Sequence, residues 1–427
     1  MKHLHTSVRK RGLVFGGTDM NSTVRVGWMS ALAVATLASL GVGGCKAPKD
    51  GGAAGETSTK ATQNLDVKAI KVGEYSSMTG ETATFGQESD AGIQYALAEI
   101  NAAGGIEVAG KKYPVTVELQ DDQSKPEEAK TVAVKFASDA DIIAVLGEVA
   151  SSRSKTAAPE YQRAGIPMIS PSSTNPDVTK VGDYIFRVCF IDPFQGYIMA
   201  KFAKDELKLS NVAVLRDPSQ DYSVGLADAF IKEFTAMGGK ISTDVSYKAS
   251  DSDFRSQLGQ VKTTNADGVF IPGYYGEVGT IARQAREIGI KAPLMGGDGW
   301  DSSELVKGAG GPGGALEGAY FSTHYSASET SKRVQDFVAA YKKAKGMEPA
   351  ALVAQGYDAM MILADAIKRA GSFERAKVRQ ALAETKDYDA VTGRITLDEN
   401  RNANKSGVVV QIKGDKFVYT KTIEPKN

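Results

Sequence analysis

The chain has 427 residues, of which 42% are hydrophobic and 24% charged, and its 51 basic and 51 acidic side chains cancel to a formal net charge of zero. Those proportions suit a globular protein of about two or three domains, and they exclude collagen, wholesale disorder and the basic surplus of a nucleic-acid binder. Two cysteines and three histidines exclude a disulfide scaffold and a zinc cluster.

Residues 1–44 read as an export signal. Val26–Gly44 follows Arg25, is apolar and rich in small residues, and closes on Val-Gly-Gly-Cys at 42–45. It is short and glycine-rich for a membrane span. Small residues before a cysteine resemble a bacterial lipobox, which implies that Cys45 is lipidated and begins the mature chain. Starting at Met20 rather than Met1 gives a signal of more usual length. Residues 45–66, rich in Gly, Ala, Lys and Thr, read as a flexible tether. The mature chain then carries 46 basic and 50 acidic groups, about −4.

From Val67 onward, short β-rich runs alternate with helical ones. Strands are predicted at Ala69–Tyr75, Tyr113–Leu119, Ile142–Leu146 and Ile166–Ile169, with helices near Gln87–Ala102, Pro126–Ala137 and Ser154–Ala164. Pro126 suits a first helical turn, and Gly104-Gly105 a left-handed stop. After a break at Cys189–Pro193 the pattern restarts. Strands are predicted at Val212–Leu215, Ile241–Ser246, Gly268–Ile271 and Pro293–Met295, with helices near Val224–Met237, Phe254–Thr263 and Gly279–Glu287. Helices over Ser331–Ala344, Ala350–Ala370 and Glu374–Ala383 follow, then strands near Arg394–Leu397, Val408–Ile412 and Phe417–Thr420.

Such alternation predicts an α/β protein whose parallel sheets are covered on both faces, and its restart predicts two similar doubly wound lobes. The expected first lobe comprises 67–191 and 322–388, the second 192–321 and 389–427, joined by a hinge that the chain crosses several times. In open α/β sheets, ligands sit beyond the carboxyl ends of the strands. That directs attention to the loops 76–86, 147–154, 170–176, 216–222, 273–277 and 296–301.

Two of these loops, Gly147–Ser154 and Ser170–Pro176, offer hydroxyls and backbone N–H groups suited to an anion, though turn and cap chemistry uses the same residues. In the second half, Tyr222 and Tyr274 present large faces with polar tips. Asp298 stands among glycines at a strand end, placed either to meet an ammonium or to cap the helix starting near Ser302.

Gly73-Glu-Tyr-Ser-Ser-Met-Thr-Gly80, Ile100-Asn-Ala-Ala-Gly-Gly105, Ser170-Pro-Ser-Ser-Thr-Asn-Pro176 and Tyr357-Asp-Ala359 resemble, in order, the periplasmic leucine/isoleucine/valine-binding protein family. These are type I solute receptors of ABC importers, and the likeness runs over about 67–425. The resemblance implies that Ser151 and Thr174, with backbone at Ala150 and Ser172, hold a ligand α-carboxylate; Ser173 belongs to the same hydroxyl loop. It implies that Asp298 and Tyr222 hold the α-ammonium, that Tyr274 closes from the second lobe, and that Phe85 and Val149 line the side-chain pocket. This chain departs from the leucine-binding type in two places. Position 298 is Asp where that type has Glu, and its first-lobe disulfide has no counterpart.

An enzyme would need a nucleophile, base or metal site. His324 is the sole histidine outside the signal and reads as a surface or hinge residue, and no G-x-S-x-G elbow or Walker A motif occurs. Gly308–Gly314 lacks the Lys-Ser/Thr of a phosphate loop, Cys189 reads as a buried inert thiol, and Asp121-Asp122 as capping or solvent-facing carboxylates. The expectation is therefore a monomeric extracytoplasmic receptor, not an enzyme, tied to a membrane only through its lipid. It would need no cofactor or metal, bind no nucleic acid, and deliver a small, branched-chain amino acid to an ABC permease and ATPase. The alternatives are a receptor for an amide, urea or aromatic acid on the same fold, and a ligand-sensing lipoprotein.

Overall fold

The computed structural model describes residues 68–425, so the export signal, Cys45 and the tether lie outside the described residues. Two parallel sheets organise the body. The first has five strands, all parallel, in the order Val115–Asp121, Ile70–Ser76, Ile142–Leu146, Met168–Ser170 and Ile185–Arg187. Its central strand Ile142–Leu146 is buried throughout, as expected of a sheet covered on both faces. On one face Ile93 and Ala96 of helix Ala83–Ala102 pack with Ala359 and Leu363 of helix Ala351–Ala370. On the other, Ala133 and Phe136 of helix Pro126–Ala137 meet Ala158 and Tyr161 of helix Ser151–Ala164.

The second sheet has seven strands. Lys240–Ser246, Asn211–Arg216, Gly268–Phe270, Leu294–Gly296 and Tyr320–Thr323 run parallel, and Gly407–Lys413 and Lys416–Ile423 add antiparallel at one edge. Its core joins residues of the helices Asp192–Asp205, Asp221–Ala236 and Tyr275–Glu287. The chain passes between the lobes after Arg187, after Thr323 and after Asn404.

Several elements differ from expectation. The strand Gly393–Leu397, expected in the second lobe, pairs instead in a separate three-stranded sheet, and its Ile395 and Leu397 join the first lobe's apolar cluster. Its alternating burial fixes only that one face is covered; the choice of lobe is made by the packed surface of helix Ala351–Ala370 and its neighbours. A helix, Asp192–Asp205, begins inside the supposed break, with Pro193 in its first turn. Four helices, starting at Ala83, Ser151, Asp221 and Tyr275, begin three or four residues before the first predicted helical position. Their opening turns are too polar or glycine-rich to show helical periodicity.

Candidate functional site

Gly147 ends the strand Ile142–Leu146 with φ +118°, and a Cβ there would lie 2.0 Å from the Tyr75 carbonyl oxygen, so only glycine allows this turn. The turn delivers helix Ser151–Ala164, whose first N–H groups have no partner within the helix. Ala150 precedes it without a side-chain cap. Underneath lies a buried polar network. The Glu148 carboxylate accepts from the Ala150 amide and from the Ser77 hydroxyl (2.8 Å) and lies 3.2 Å from Arg153 Nε. Asp122 Oδ1 lies 2.7 Å from the same Ser77 hydroxyl, and Arg153 donates to the Thr82 hydroxyl (2.7 Å). Asp122 is thus fully buried rather than solvent-facing, and burial pushes its carboxyl up to about 7. This network braces the loop from behind.

The neighbouring Ser170–Pro176 loop is tied to it. Ser173 donates its hydroxyl to the carbonyl of Glu148 (2.9 Å), and Asn175 N donates to Ser151 Oγ (3.2 Å). Buried Arg187 donates to the carbonyls of Ser173 and Asn175, while Gln355 donates to the Pro171 carbonyl (2.9 Å) and Ser172 Oγ (3.2 Å).

The second lobe supplies a different surface. Tyr222 and Tyr274 stack at 5.1 Å and 12°, and the Tyr222 hydroxyl accepts from Gly299 N (2.9 Å). A Cβ at position 299 would fall 2.8 Å from the Tyr222 ring and 2.6 Å from the Gly273 carbonyl, so glycine lets this turn approach the tyrosine. Phe85, from the first lobe, meets Tyr274 and Tyr275 edge-on at 5.8 and 5.0 Å. Asp298 opens a short 3-10 turn, and its carboxylate faces Gln195 Nε2 (2.8 Å), His324 Nε2 (3.0 Å) and Ser172 Oγ (3.3 Å). The last contact crosses the cleft. So do Ser152 Oγ with Asp221 N (3.0 Å), Asn175 Nδ2 with the Asp221 carbonyl (2.8 Å) and Lys155 with Asp221 (2.9 Å). Helix Ser303–Gly308 is capped by Ser302, not by Asp298, which leaves the acid for the cleft.

Phe85, Val149, Ser151, Ser172, Tyr222, Tyr274 and Asp298 line one cavity of about 10 Å³, room for a single water molecule. An anion-compatible helix terminus and hydroxyls stand on one side, a carboxylate on the other, with apolar side chains between. That polarity fits a small zwitterion with an apolar side chain.

Residues 69–416 match the family model described as periplasmic binding protein. The chain belongs to the periplasmic binding protein family. It is therefore an extracytoplasmic solute receptor and not an enzyme. The leucine-, isoleucine-, valine-, threonine- and alanine-binding protein of Pseudomonas aeruginosa is 32% identical over 341 residues, covering 79% of this chain and 88% of that one. Among solved structures, a leucine-binding protein from Thermotoga maritima superposes with TM-score 0.78 at 40% identity, covering 84% of this chain and 99% of that one. A branched-chain amino acid transporter substrate-binding protein from Streptococcus pneumoniae, in complex with isoleucine, also gives TM-score 0.78, at 32% identity over 84% of this chain and 100% of that one. More distant, a solute-binding protein of Rhodopseudomonas palustris bound to 3,4-dihydroxybenzoic acid gives 0.73 at 25%, covering 84% and 98%.

In this periplasmic binding protein, three residues expected at the site stand behind its wall. Ser173 turns its hydroxyl to the Glu148 and Val149 carbonyls and to Ser154, so it braces the loops rather than facing the cavity. The Ala150 amide is engaged by Glu148. Thr174 is fully buried with its hydroxyl beside Asp192, whose carboxyl burial pushes up to about 8. Leu352 and Gly299 line the cavity and were not anticipated. Leu352 is one apolar residue among many in its helix, and nothing in sequence spacing singles it out. His324 is buried, not at the surface, and follows the strand at the second crossing. Cys189 is buried as expected, its thiol pushed up to about 12 by burial. Among the described residues no group of three or more metal-ligating side chains occurs, and no helix is long and apolar enough to cross a membrane.

Proposed function

We propose that this chain is a lipid-anchored receptor that captures one branched-chain amino acid, leucine, isoleucine or valine, between its lobes and hands it to an ABC permease and ATPase. The observation that carries the reading is Asp298 facing the Ser151 helix terminus and Ser172 across an otherwise apolar cavity. The Ser151 hydroxyl and the first-turn amides receive the α-carboxylate, with the Ser172 backbone beside them. Asp298 neutralises the α-ammonium next to Tyr222. Phe85, Val149 and Leu352 cover the side chain, and Tyr274 closes over it. Cys45 carries the lipid, and the receptor works as a monomer.

The cavity is smaller than an amino acid, so entry requires the lobes to part about their three crossings. A ligand touching both walls then favours the closed arrangement by its differential contacts. Closure excludes water and strengthens both charged contacts. Micromolar affinity needs about 8 kcal/mol, within reach of two charge-assisted contacts and one buried aliphatic side chain.

A second reading is an aromatic-acid receptor. It is favoured by the dihydroxybenzoate-bound relative and by a first wall that suits a carboxylate with or without an ammonium partner. A thermal-shift screen against the twenty amino acids, short amides, urea and 3,4-dihydroxybenzoate separates the two. Ligand at a hundred times its Kd adds about 2.7 kcal/mol. Shifts confined to leucine, isoleucine and valine support the first reading; shifts with the aromatic acid alone overturn it.

A further inference from the structure

The Asp298 carboxylate is held from behind by two side chains that no site motif includes. Gln195 Nε2 donates to Oδ1 at 2.8 Å, and His324 Nε2 lies 3.0 Å from Oδ2. The His324 side chain has no exposed surface, its ring lies over Phe190 at 3.7 Å and 31°, and its Nδ1 has no hydrogen-bond partner. A carboxylate only accepts, so the neutral ring carries its hydrogen on Nε2 and leaves Nδ1 bare. A proton added at Nδ1 makes a cation in contact with Asp298, and a donor with no acceptor in the interior.

The charged groups facing the imidazole are Asp298, which favours the cation, and buried Lys405, which opposes it; burial dominates, and the ring is held below its ordinary value of 6.5. Lys405 itself is pushed down to about 8 by burial, against the pull of Asp358. Asp192 and Asp301, which also sense Asp298, are pushed up to about 8 and about 7, so both carry their protons in the acid range.

Resting on the reading of Asp298 as the ammonium contact, we propose that His324 is a positioning residue of that site: neutral, it aims Asp298 at the cleft; protonated, it competes with the ligand's ammonium for the same carboxylate. Amino-acid and proton binding are then coupled with opposite sign, and by linkage each weakens the other by the same factor.

The test compares leucine affinity of the full chain and of His324→Gln by calorimetry at pH 7.5 and pH 5.0. Glutamine keeps an N–H donor and cannot take the proton. Wild type is expected to lose more affinity than His324→Gln over that interval. Equal pH profiles overturn the inference. A ligand-free measurement keeps it separate from the ligand reading. The imidazole NMR signal of His324, assigned by its loss in His324→Gln, should titrate at lower pH in Asp298→Asn than in wild type. Saturating leucine should lower the midpoint as well. A midpoint unmoved by Asp298→Asn overturns the inference whether or not leucine binds. A midpoint that moves with no leucine binding upholds the His324–Asp298 coupling and overturns the proposed ligand.

Discussion

The two walls of the cleft are made from different materials. The first lobe offers a helix N-terminus and two serines, braced by buried Glu148, Arg153 and Asp122 and by Arg187 on the adjacent carbonyls. The second offers Tyr222, Tyr274 and a single acid held by Gln195 and His324. A backbone anion site is nearly blind to what the carboxylate is attached to, because its donors belong to every sequence. A side-chain wall is not blind: its reach and charge are set residue by residue. On the proposed reading, carboxylate binding therefore belongs to the fold, whereas discrimination belongs to Asp298, the tyrosines and the apolar cover.

The largest effect should come from the first wall's brace. Arg153→Ala leaves Glu148 buried without its cation and is expected to cost about 3–5 kcal/mol of stability, read by chemical denaturation. A loss under about 1 kcal/mol would mean the wall stands without it. Removing the acid of the second wall should leave folding intact but weaken leucine binding at least tenfold, about 1.4 kcal/mol or more, in calorimetry of Asp298→Ala. The ligand-facing hydroxyl matters less. Ser151→Ala should cost about 0.5–1.5 kcal/mol, because the amides of the helix terminus remain. If Ser151→Ala proves costlier than Asp298→Ala, the contrast between the walls is inverted.

A further effect is a slope with pH. Asp192, fully buried, is raised from 3.8 to about 8, so the native protein keeps a proton that the unfolded chain releases. That contribution is fully present below about 4 and is lost as pH rises toward 8, at no more than about 1.4 kcal/mol per unit. Thermal melts at pH 6 and pH 8.5 should show the loss, and Asp192→Asn should flatten it. An unchanged slope in that variant would assign the titration elsewhere.

What the sequence discloses divides along the same line. Strand–helix alternation marks the parallel sheets, and strand ends mark the loops that carry Ser151, Ser172, Tyr222 and Asp298. Those signals are local, set by periodicity within a few residues. The strand Gly393–Leu397 was expected in the wrong lobe because its pairing partners and packing surface are chosen by tertiary contact. Gln195 and His324 were missed for a related reason. They lie 103 and 26 residues from Asp298 and meet it only because the packing of the second lobe sets helix Asp192–Asp205 and the end of strand Tyr320–Thr323 beside the turn at 298. The inward turn of Ser173 is likewise invisible in a run of serines, since its direction depends on the Glu148 and Val149 carbonyls behind it.

The central claim is that two unlike walls grip opposite ends of one amino acid. It is tested most directly by calorimetry with leucine and with its two halves, 4-methylpentanoate and 3-methylbutylamine. The account predicts micromolar leucine, about 8 kcal/mol, and each half weaker by at least about a hundredfold, or 2.7 kcal/mol. If the carboxylate alone binds as tightly as leucine, Asp298 does not grip an ammonium and the two-wall account fails.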